Sequence, residues 1–282
     1  MSAENVQNSN QKPLILKTAF REVKLNRPLW MAIVNATPDS FSDGGRADVV
    51  GHAMKLLAEG ADILDVGGES TRPGCDPVSA DVEMARIHPV LDEILERCEA
   101  LGVPKPLISV DTYHPETARF AVTHGVELLN DISGAVNPEM VRTAVESGAA
   151  LCFMQMQGTP KTMQLHPHYE NVLEEIFTWL AERRDALLAA GVEREKLIVD
   201  PGIGFGKTLE QNWDLIENVG RFHDLGLPVL IGHSRKGFLK RLTEADPMLS
   251  RDDATQLVSK MLVSQGVQVL RTHEKPYFIH SC

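Results

Sequence analysis

Side chains that can bind a ligand follow several short apolar segments of this chain. Asp111, Asn130 and Asp200 each come directly after such a segment, and Arg271 and His273 come after the last one. Carboxylates and amides form directional hydrogen bonds, whereas a guanidinium near an imidazole suits an anionic group. Arg271 and His273 are two residues apart, so their side chains point the same way on an extended strand. The pattern indicates a binding site for a polar ligand.

Each of these residues also has an ordinary structural explanation. Asp111 can cap the helix that follows it, Arg271 can form a surface ion pair, and His273 can be a structural histidine. Several such groups converging on one cavity favour ligand binding over these alternatives. No Ser–His–Asp or Cys–His pattern is apparent, so the sequence does not indicate a nucleophilic side chain.

The composition limits the classes of partner. Asp and Glu number 39 against 28 Lys and Arg, and the net charge of −11 disfavours nucleic acid and anionic membranes as partners. The four cysteines lack zinc-binding spacing, and the polar first dozen residues do not read as a secretory leader. No apolar run approaches the 18 or so residues of a membrane span. We therefore expect a cytoplasmic protein.

Short apolar runs, rich in Val, Ile and Leu, alternate with helical patterns. Unbroken apolar runs are typical of a parallel sheet that is covered on both faces. Eight strands are predicted, at Leu29–Val34, Asp62–Val66, Pro106–Val110, Val126–Leu129, Ala149–Met154, Lys196–Val199, Leu227–Ile231 and Val267–Leu270. Seven helices are predicted, at Asp48–Glu59, Ser79–Cys98, Pro115–His124, Pro138–Ser147, Tyr169–Ala190, Leu209–Leu225 and Asp252–Gln265.

This alternation predicts an α/β fold of the (β/α)₈ or TIM-barrel type. An open doubly wound sheet is the competing arrangement, and the count of eight strands favours the barrel. In such a barrel the carboxyl ends of all strands meet at one mouth, so the polar residues described above would face each other.

The two ends of the chain depart from a plain barrel. Residues 14–25 are predicted to form a hairpin that closes the N-terminal mouth, which divides the chain into an extension (1–28) and a barrel domain (29–282). The ten residues His273–Cys282 are too few for the helix that normally follows the last strand. The last helix is therefore expected to be missing, with that flank either open or covered by a neighbouring subunit.

Motifs at the strand ends resemble the dihydropteroate synthase family. They occur in the family's order as NATPDSFSDGG, GGESTRPG, SVDT, NDISG, MQMQGTP, DPGIGFGK, SRK and RTH, between about Leu29 and Glu274. The resemblance implies condensation of 6-hydroxymethyl-7,8-dihydropterin pyrophosphate with p-aminobenzoate. It also implies a Mg²⁺ cofactor and a homodimer.

The resemblance also assigns roles to residues around the mouth. Asp111, Asn130 and Asp200 would bind the pterin, whose guanidine-like and amide edges suit carboxylate and amide partners. Lys236 would lie near the ring carbonyl. The other implied substrate contacts are the apolar walls Met154 and Phe205, the loop residues Phe41, Thr71, Arg72 and Pro73, and Ser234 with Arg235.

The expected mechanism is a dissociative substitution at the pterin methylene. Pyrophosphate would leave onto Arg271, His273 and a Mg²⁺ held by Asn35, and the neutral arylamine would then attack. Asp39 would stabilise the developing cation or receive a proton.

Two departures from the family pattern and two other functions complete the prediction. Gly237 stands where Ser is common, so p-aminobenzoate should bind more weakly, and Gln155 stands where His is frequent. The alternative functions are a methyltetrahydrofolate:corrinoid methyltransferase and a pterin-binding barrel without turnover. Arg271, His273 and Lys236 argue against the methyltransferase, which has no pyrophosphate to bind.

Overall fold

Eight parallel strands form a barrel in a computed structural model that describes residues 14–37 and 46–277. The strands, including an N-terminal hairpin, are β1 (Ile15–Lys17), β2 (Glu22–Lys24), β3 (Leu29–Asn35), β4 (Ile63–Gly67), β5 (Leu107–Asp111), β6 (Leu128–Asp131), β7 (Ala150–Met154), β8 (Leu197–Asp200), β9 (Leu230–Gly232) and β10 (Val269–Thr272). The eight barrel strands, β3 to β10, pair in the order β8-β7-β6-β5-β4-β3-β10-β9, and β1 pairs with β2 in the hairpin. A parallel bridge between Val199 and Val229 joins β8 to the segment that leads into β9 and closes the ring. The predicted (β/α)₈ barrel is confirmed.

Helices cover the outside of the barrel. They are α1 (Arg46–Ala58), α2 (Ala80–Leu101), α3 (Pro115–Thr123), α4 (Pro138–Ser147), α5 (Val172–Ala189), α6 (Leu209–Glu217), α7 (Lys240–Ala245) and α8 (Arg251–Ser264). Local signals set their ends: Ser79 caps the start of α2, and Gly102 ends it in the left-handed conformation with φ of 64°. None of the described helices has the length and apolar composition needed to cross a bilayer.

The prediction of one helix over Leu209–Leu225 is wrong in its second half. The α-helix ends at Glu217, and Val219–Leu225 forms a 3₁₀ segment. Asn218 lies at the break with φ of −118°, and its side-chain amide donates back to the carbonyl oxygen of Asp214 at 2.9 Å. An asparagine that bonds the preceding turn in this way competes with continuation of the helix.

Side chains inside the barrel form an apolar floor beneath a polar layer. The floor consists of the inward residues near the start of each strand, namely Leu29, Met31, Ile63, Leu107, Leu128, Ala150, Ile198, Leu230 and Val269. Because side chains alternate along a strand, residues two or four positions further on also point inward. The polar layer above the floor therefore comprises Asn35, Asp65, Asp111, Asn130, Asp200 and Arg271.

The hairpin β1–β2 seals the barrel below the floor, as predicted. Leu16 is fully buried against the floor residues. Glu127, also fully buried, accepts a hydrogen bond from the Thr18 hydroxyl at 2.7 Å and is bonded by Arg21 at 2.5 Å. In the described residues after β10, which end at Tyr277, no helix is present. The domain division at residue 28 stays a prediction.

Candidate functional site

Arg271 links two carboxylates at the centre of the polar layer. Its Nε donates to Asp65 Oδ2 at 2.6 Å, and its Nη2 donates to Asp111 Oδ2 at 2.5 Å. Asn130 Nδ2 also donates to Asp65 Oδ2, at 3.1 Å. Asp65 is fully buried and Asp111 nearly so. The structure therefore brings Asp111, Asn130 and Arg271 together as the sequence predicted, with Asp65 as the residue that joins them.

Two buried carboxylate oxygens in this cluster have no partner. Asp111 Oδ1 and Asp65 Oδ1 are inaccessible and accept no hydrogen bond within the described part of the chain. Burial raises the pKa of Asp111, and the positive charge of Arg271 opposes that shift. An unsatisfied buried acceptor is costly. Asp111 keeps 7% of its surface exposed at the mouth and can accept from an N–H donor of a ligand by a small rotation, whereas Asp65 is fully buried and positions Arg271.

Asp200 and Lys236 face each other across the adjacent part of the mouth. Asp200 Oδ1 accepts a hydrogen bond from the backbone N–H of Gly202 at 2.7 Å. Burial raises the pKa of Asp200, and Lys236 opposes this shift. Burial also lowers the pKa of Lys236 to about 8, although the charge of Asp200 works in the other direction. The ammonium donates to the carbonyl oxygen of Ile203 and lies 4.4 Å from the centre of the Phe205 ring.

An apolar cluster forms one wall of the site. Met154 and Phe205, which were predicted as apolar walls, pack with Ile132 and Met163, and all four are buried. With Lys236 over the Phe205 ring, this wall presents an apolar surface next to a cation. Such a surface can contact the face of a flat ring, while the carboxylates bind its edge.

The loop after β8 is held by Lys207, the last residue of the motif DPGIGFGK, for whose side chain the sequence predicted no role. Lys207 is nearly completely buried, and its Nζ donates to the Gln155 side chain at 2.8 Å and to the Phe205 carbonyl oxygen at 2.9 Å. Burial lowers its pKa to about 7. Gly202 has φ of 74°, and a Cβ there would lie 1.9 Å from the Gln155 carbonyl oxygen. The glycine-rich GIGFGK segment thus permits a close approach of backbone to backbone.

His273 lies at the edge of the mouth, in contact with Ser234. The Ser234 hydroxyl and His273 Nδ1 are 2.9 Å apart. Burial lowers the pKa of His273 to about 4, and the nearby charges of Arg235, Arg271 and Arg72 lower it further. The imidazole is therefore neutral at pH 7 in the absence of ligand. Arg235 forms ion pairs with Asp252 and Glu274 at 2.6 and 2.8 Å.

The remaining predicted residues lie on the rim or outside the described residues. Thr71 is half-buried, while Arg72 and Pro73 are exposed on the loop after β4. That loop contacts the loop after β7 through the Gly74 N–H, which donates to the Pro160 carbonyl oxygen at 3.1 Å. Asn35 ends β3 with a half-buried side chain. Asp39 and Phe41 lie outside the described residues.

A carboxylate network behind the rim was also missed. Glu69, which is buried, accepts a hydrogen bond from the Tyr113 hydroxyl at 2.7 Å and lies 3.2 Å from His114 Nε2. It thereby joins the loop after β4 to the loop after β5. Of the site residues that were not predicted, only Asp65 can be recognised in the sequence, because it is a charged residue inside the apolar strand sequence ILDVG.

Comparisons with known proteins cover the whole barrel. The sequence profile of a family described as pterin binding enzyme matches residues 31–273. The dihydropteroate synthase of Escherichia coli (strain K12) is 41% identical over 256 residues, which cover 89% of this chain and 88% of that protein. Xanthomonas albilineans dihydropteroate synthase, solved with 4-aminobenzoic acid, has a TM-score of 0.84 at 36% identity and 93% coverage of each chain. Its structure in complex with 7,8-dihydropteroate has a TM-score of 0.79 at 33% identity, covering 92% of this chain and 93% of that one.

Proposed function

The chain belongs to the pterin-binding enzymes and, within them, to the dihydropteroate synthase family, and from this membership we propose how its residues act. The enzyme condenses 6-hydroxymethyl-7,8-dihydropterin pyrophosphate with p-aminobenzoate and releases pyrophosphate and 7,8-dihydropteroate. It is a transferase of the dihydropterinylmethyl group. The curated relatives do not support the methyltransferase or the barrel without turnover.

The pterin binds through its N–H edge to the buried acceptors. The observation that carries this assignment is the unpartnered Asp111 Oδ1, which lies inside the barrel with no donor among the described residues. A dihydropterin offers N–H groups on its guanidine-like edge, and two such donors match a carboxylate. Asn130 and Asp200 bind the remaining edges, and the Met154–Phe205 wall contacts the ring face. Lys236 donates to the ring carbonyl.

The leaving pyrophosphate is received by Arg271 and His273. Arg271 uses Nε and Nη2 for Asp65 and Asp111, so its Nη1 remains for a phosphate oxygen. His273 is neutral in the free enzyme and has one ring N–H. Ser234 Oγ accepts from the His273 backbone N–H, so its hydroxyl is placed to donate to Nδ1, and the ring N–H is then on Nε2, where it can donate to a phosphate oxygen. These donors stabilise the negative charge that develops as the C–O bond breaks. The neutral amine of p-aminobenzoate then attacks the methylene and loses a proton, for which Asp39 is the proposed acceptor.

Asn35 would hold a Mg²⁺ ion next to these residues. Asn35 ends β3, the strand paired with β10, and its amide is a neutral oxygen ligand on the inward side of the barrel. One such ligand suits an ion that is held mainly by substrate phosphate oxygens and water. When bound, the ion supplies charge neutralisation at the pyrophosphate.

Turnover can be tested with the purified protein. We expect pyrophosphate release that requires both p-aminobenzoate and Mg²⁺, together with formation of dihydropteroate. Pterin binding without arylamine-dependent release would contradict the proposal, and EDTA should stop release until Mg²⁺ is added back.

Lys236 is expected to set the upper limit of the pH profile. Because burial lowers its pKa to about 8, the ammonium is lost as the pH rises through that value, and kcat/KM should fall on the alkaline side. In Lys236→Arg the cation persists at high pH, so kcat/KM should not decline between pH 8 and 10. Because a guanidinium differs from an ammonium in shape and in hydrogen-bond geometry, kcat/KM at pH 7 should be about tenfold lower than in the wild type. If Lys236→Arg keeps the alkaline decline, the titrating group is another one, such as Lys207.

Gly237 is expected to weaken p-aminobenzoate binding, and a single substitution should reverse this effect. No described atom lies within 4 Å of a Cβ placed at Gly237, so a serine side chain fits without steric conflict. The added hydroxyl offers one hydrogen bond to the benzoate carboxylate, and KM for p-aminobenzoate should fall about three- to tenfold in Gly237→Ser. Gly237→Ala is the matched control and should leave KM unchanged. Equal KM values for the serine and alanine variants would contradict the assignment.

We infer a homodimer from the family, and exposed Met248 and Leu257 provide apolar surface close to α7 and α8. Light scattering should give about twice the chain mass of 31.1 kDa.

A cytoplasmic location is supported by the free thiols of Cys75, Cys98 and Cys152.

A further inference from the structure

A cluster of two histidines and one aspartate lies on the outside of the barrel, between α2 and the end of α3. It consists of His88, Asp92 and His124, whose ligand atoms all lie within 4.8 Å of one another. His88 Nε2 and Asp92 Oδ2 are 3.1 Å apart. These residues take no part in the site at the mouth. We propose that they form a binding site for one divalent transition metal ion of the Zn²⁺ class.

The positions of the three residues follow from helix geometry. His88 and Asp92 are four residues apart on α2, so they lie on the same face, one turn from each other. His124 directly follows the last residue of α3, and its ring is 4.7 Å from that of His88 between ring centres. The site therefore bridges two neighbouring helices.

The tautomer of His124 is fixed in the form that a metal ligand needs. Its Nδ1 lies 2.9 Å from the carbonyl oxygen of Phe120, and a carbonyl oxygen can only accept, so Nδ1 carries the proton. Nε2 then has a free lone pair. Histidine ligands of metal ions commonly donate their second ring N–H to a backbone carbonyl in this way. The Phe120 ring, 4.1 Å from the imidazole centre and tilted by 30°, also holds the orientation of His124.

The donor set selects the class of metal. Two imidazole nitrogens and one carboxylate oxygen suit Zn²⁺ and its neighbours, whereas Mg²⁺ and Ca²⁺ prefer oxygen ligands throughout. A tetrahedral Zn²⁺ with bonds of about 2.0 Å needs its ligand atoms about 3.3 Å apart. The His88–Asp92 distance is already close to this value. His88 and Asp92 are about half exposed, so rotation of their side chains can bring the set into contact with the ion.

The surroundings leave room for water ligands. His88 and Asp92 line an open groove of about 650 Å³ along α2, which also contains Glu96. Three protein ligands with one or more waters would complete the coordination.

Because helices run back from the mouth, the end of α3 lies toward the opposite face of the barrel. Metal binding here is therefore expected to stabilise the α2–α3 pair and to leave synthase activity unchanged.

Titration calorimetry with ZnCl₂ on the tag-free protein at pH 7.5 tests the site. The wild type should bind one Zn²⁺ ion. The affinity for this ion should be at least tenfold lower in His124→Gln and in Asp92→Asn. The double variant His166→Gln/His168→Gln removes two exposed histidines elsewhere and should bind as the wild type does. Wild-type affinity in the His124 and Asp92 variants, or no Zn²⁺ binding by the wild type, would overturn the proposal.

A second measurement detects Zn²⁺ binding through the thermal stability of the protein. Zn²⁺ at a hundred times the wild-type dissociation constant should raise the Tm of the wild type by about 5 °C, and the same Zn²⁺ concentration should raise that of His124→Gln by less than about 3 °C. In NMR spectra, the imidazole signals of His88 and His124 should shift together on Zn²⁺ addition. A shift of other histidine signals without these two would place the ion elsewhere.

Discussion

Replacing Arg271 with alanine is expected to reduce kcat by about 10²- to 10³-fold and to destabilise the protein by about 3–5 kcal/mol. The loss of activity follows from removal of a cation at the leaving group. The loss of stability follows because Asp65 and Asp111 would be left buried without their partner, at positions now bonded by Arg271 at 2.6 and 2.5 Å.

Urea unfolding and steady-state kinetics measure the two effects separately. Arg119→Ala is the control, because Arg119 forms an exposed ion pair with Glu139 at 3.3 Å; it should change stability by less than about 1 kcal/mol and leave kcat unaltered. If the stranded carboxylates cause the destabilisation, the double variant Asp65→Asn/Arg271→Ala will be more stable than Arg271→Ala alone. A double variant that is less stable would refute this explanation.

Replacing Asp111 with asparagine is expected to weaken pterin binding by about 10²- to 10³-fold. The substitution replaces a charged acceptor with a group that presents an N–H₂ to the pterin N–H edge, and hydrogen bonds to a charged group contribute about 1.5–3 kcal/mol each. The dissociation constant of the hydroxymethyl pterin, measured by calorimetry, should report this loss directly. KM for p-aminobenzoate should change much less.

The pH dependence of pterin binding provides a further readout for Asp111. Because burial raises the pKa of Asp111, protonation removes the acceptor at a higher pH than for an ordinary aspartate, and wild-type affinity should fall as the medium becomes acidic. Asp111→Asn should show a smaller dependence, the remainder coming from Asp200, whose pKa is also raised by burial. The control is Asp131→Asn: Asp131 is buried and accepts a hydrogen bond from the Ser133 N–H at 2.6 Å, but it points away from the barrel interior. Equal losses of pterin affinity in the two variants would contradict the assignment.

The strand ends could be predicted from the sequence because unbroken apolar runs stop at polar residues. Asp111, Asn130 and Asp200 each end such a run, and the structure places them at or next to strand ends. The closure of eight strands into a barrel then determines that these ends meet. Arg271 could be placed in the same way, because β10 is the last strand of the ring.

Other parts of the site depend on contacts between distant segments and could not be predicted. Asp65 reads as an interruption of an apolar strand, and its pairing with Arg271 is visible only once β4 and β10 face the same interior. Lys207 ends the glycine-rich motif DPGIGFGK, and its burial among oxygen acceptors of Gln155 and Phe205 arises only when the loops after β7 and β8 come together. The break at Asn218 was hidden because apolar spacing continues through the 3₁₀ segment, with Phe222 and Leu225 buried.

The hairpin below the barrel floor determines how the enzyme can be attached to a surface. The strands β1 and β2 lie on the face that Leu16 seals, opposite to the mouth where substrates enter. A biotin or polymer linker coupled to the exposed Lys24 of β2 would therefore orient immobilised molecules with their openings toward the solution. Reagents would then diffuse in and products diffuse out without obstruction by the support.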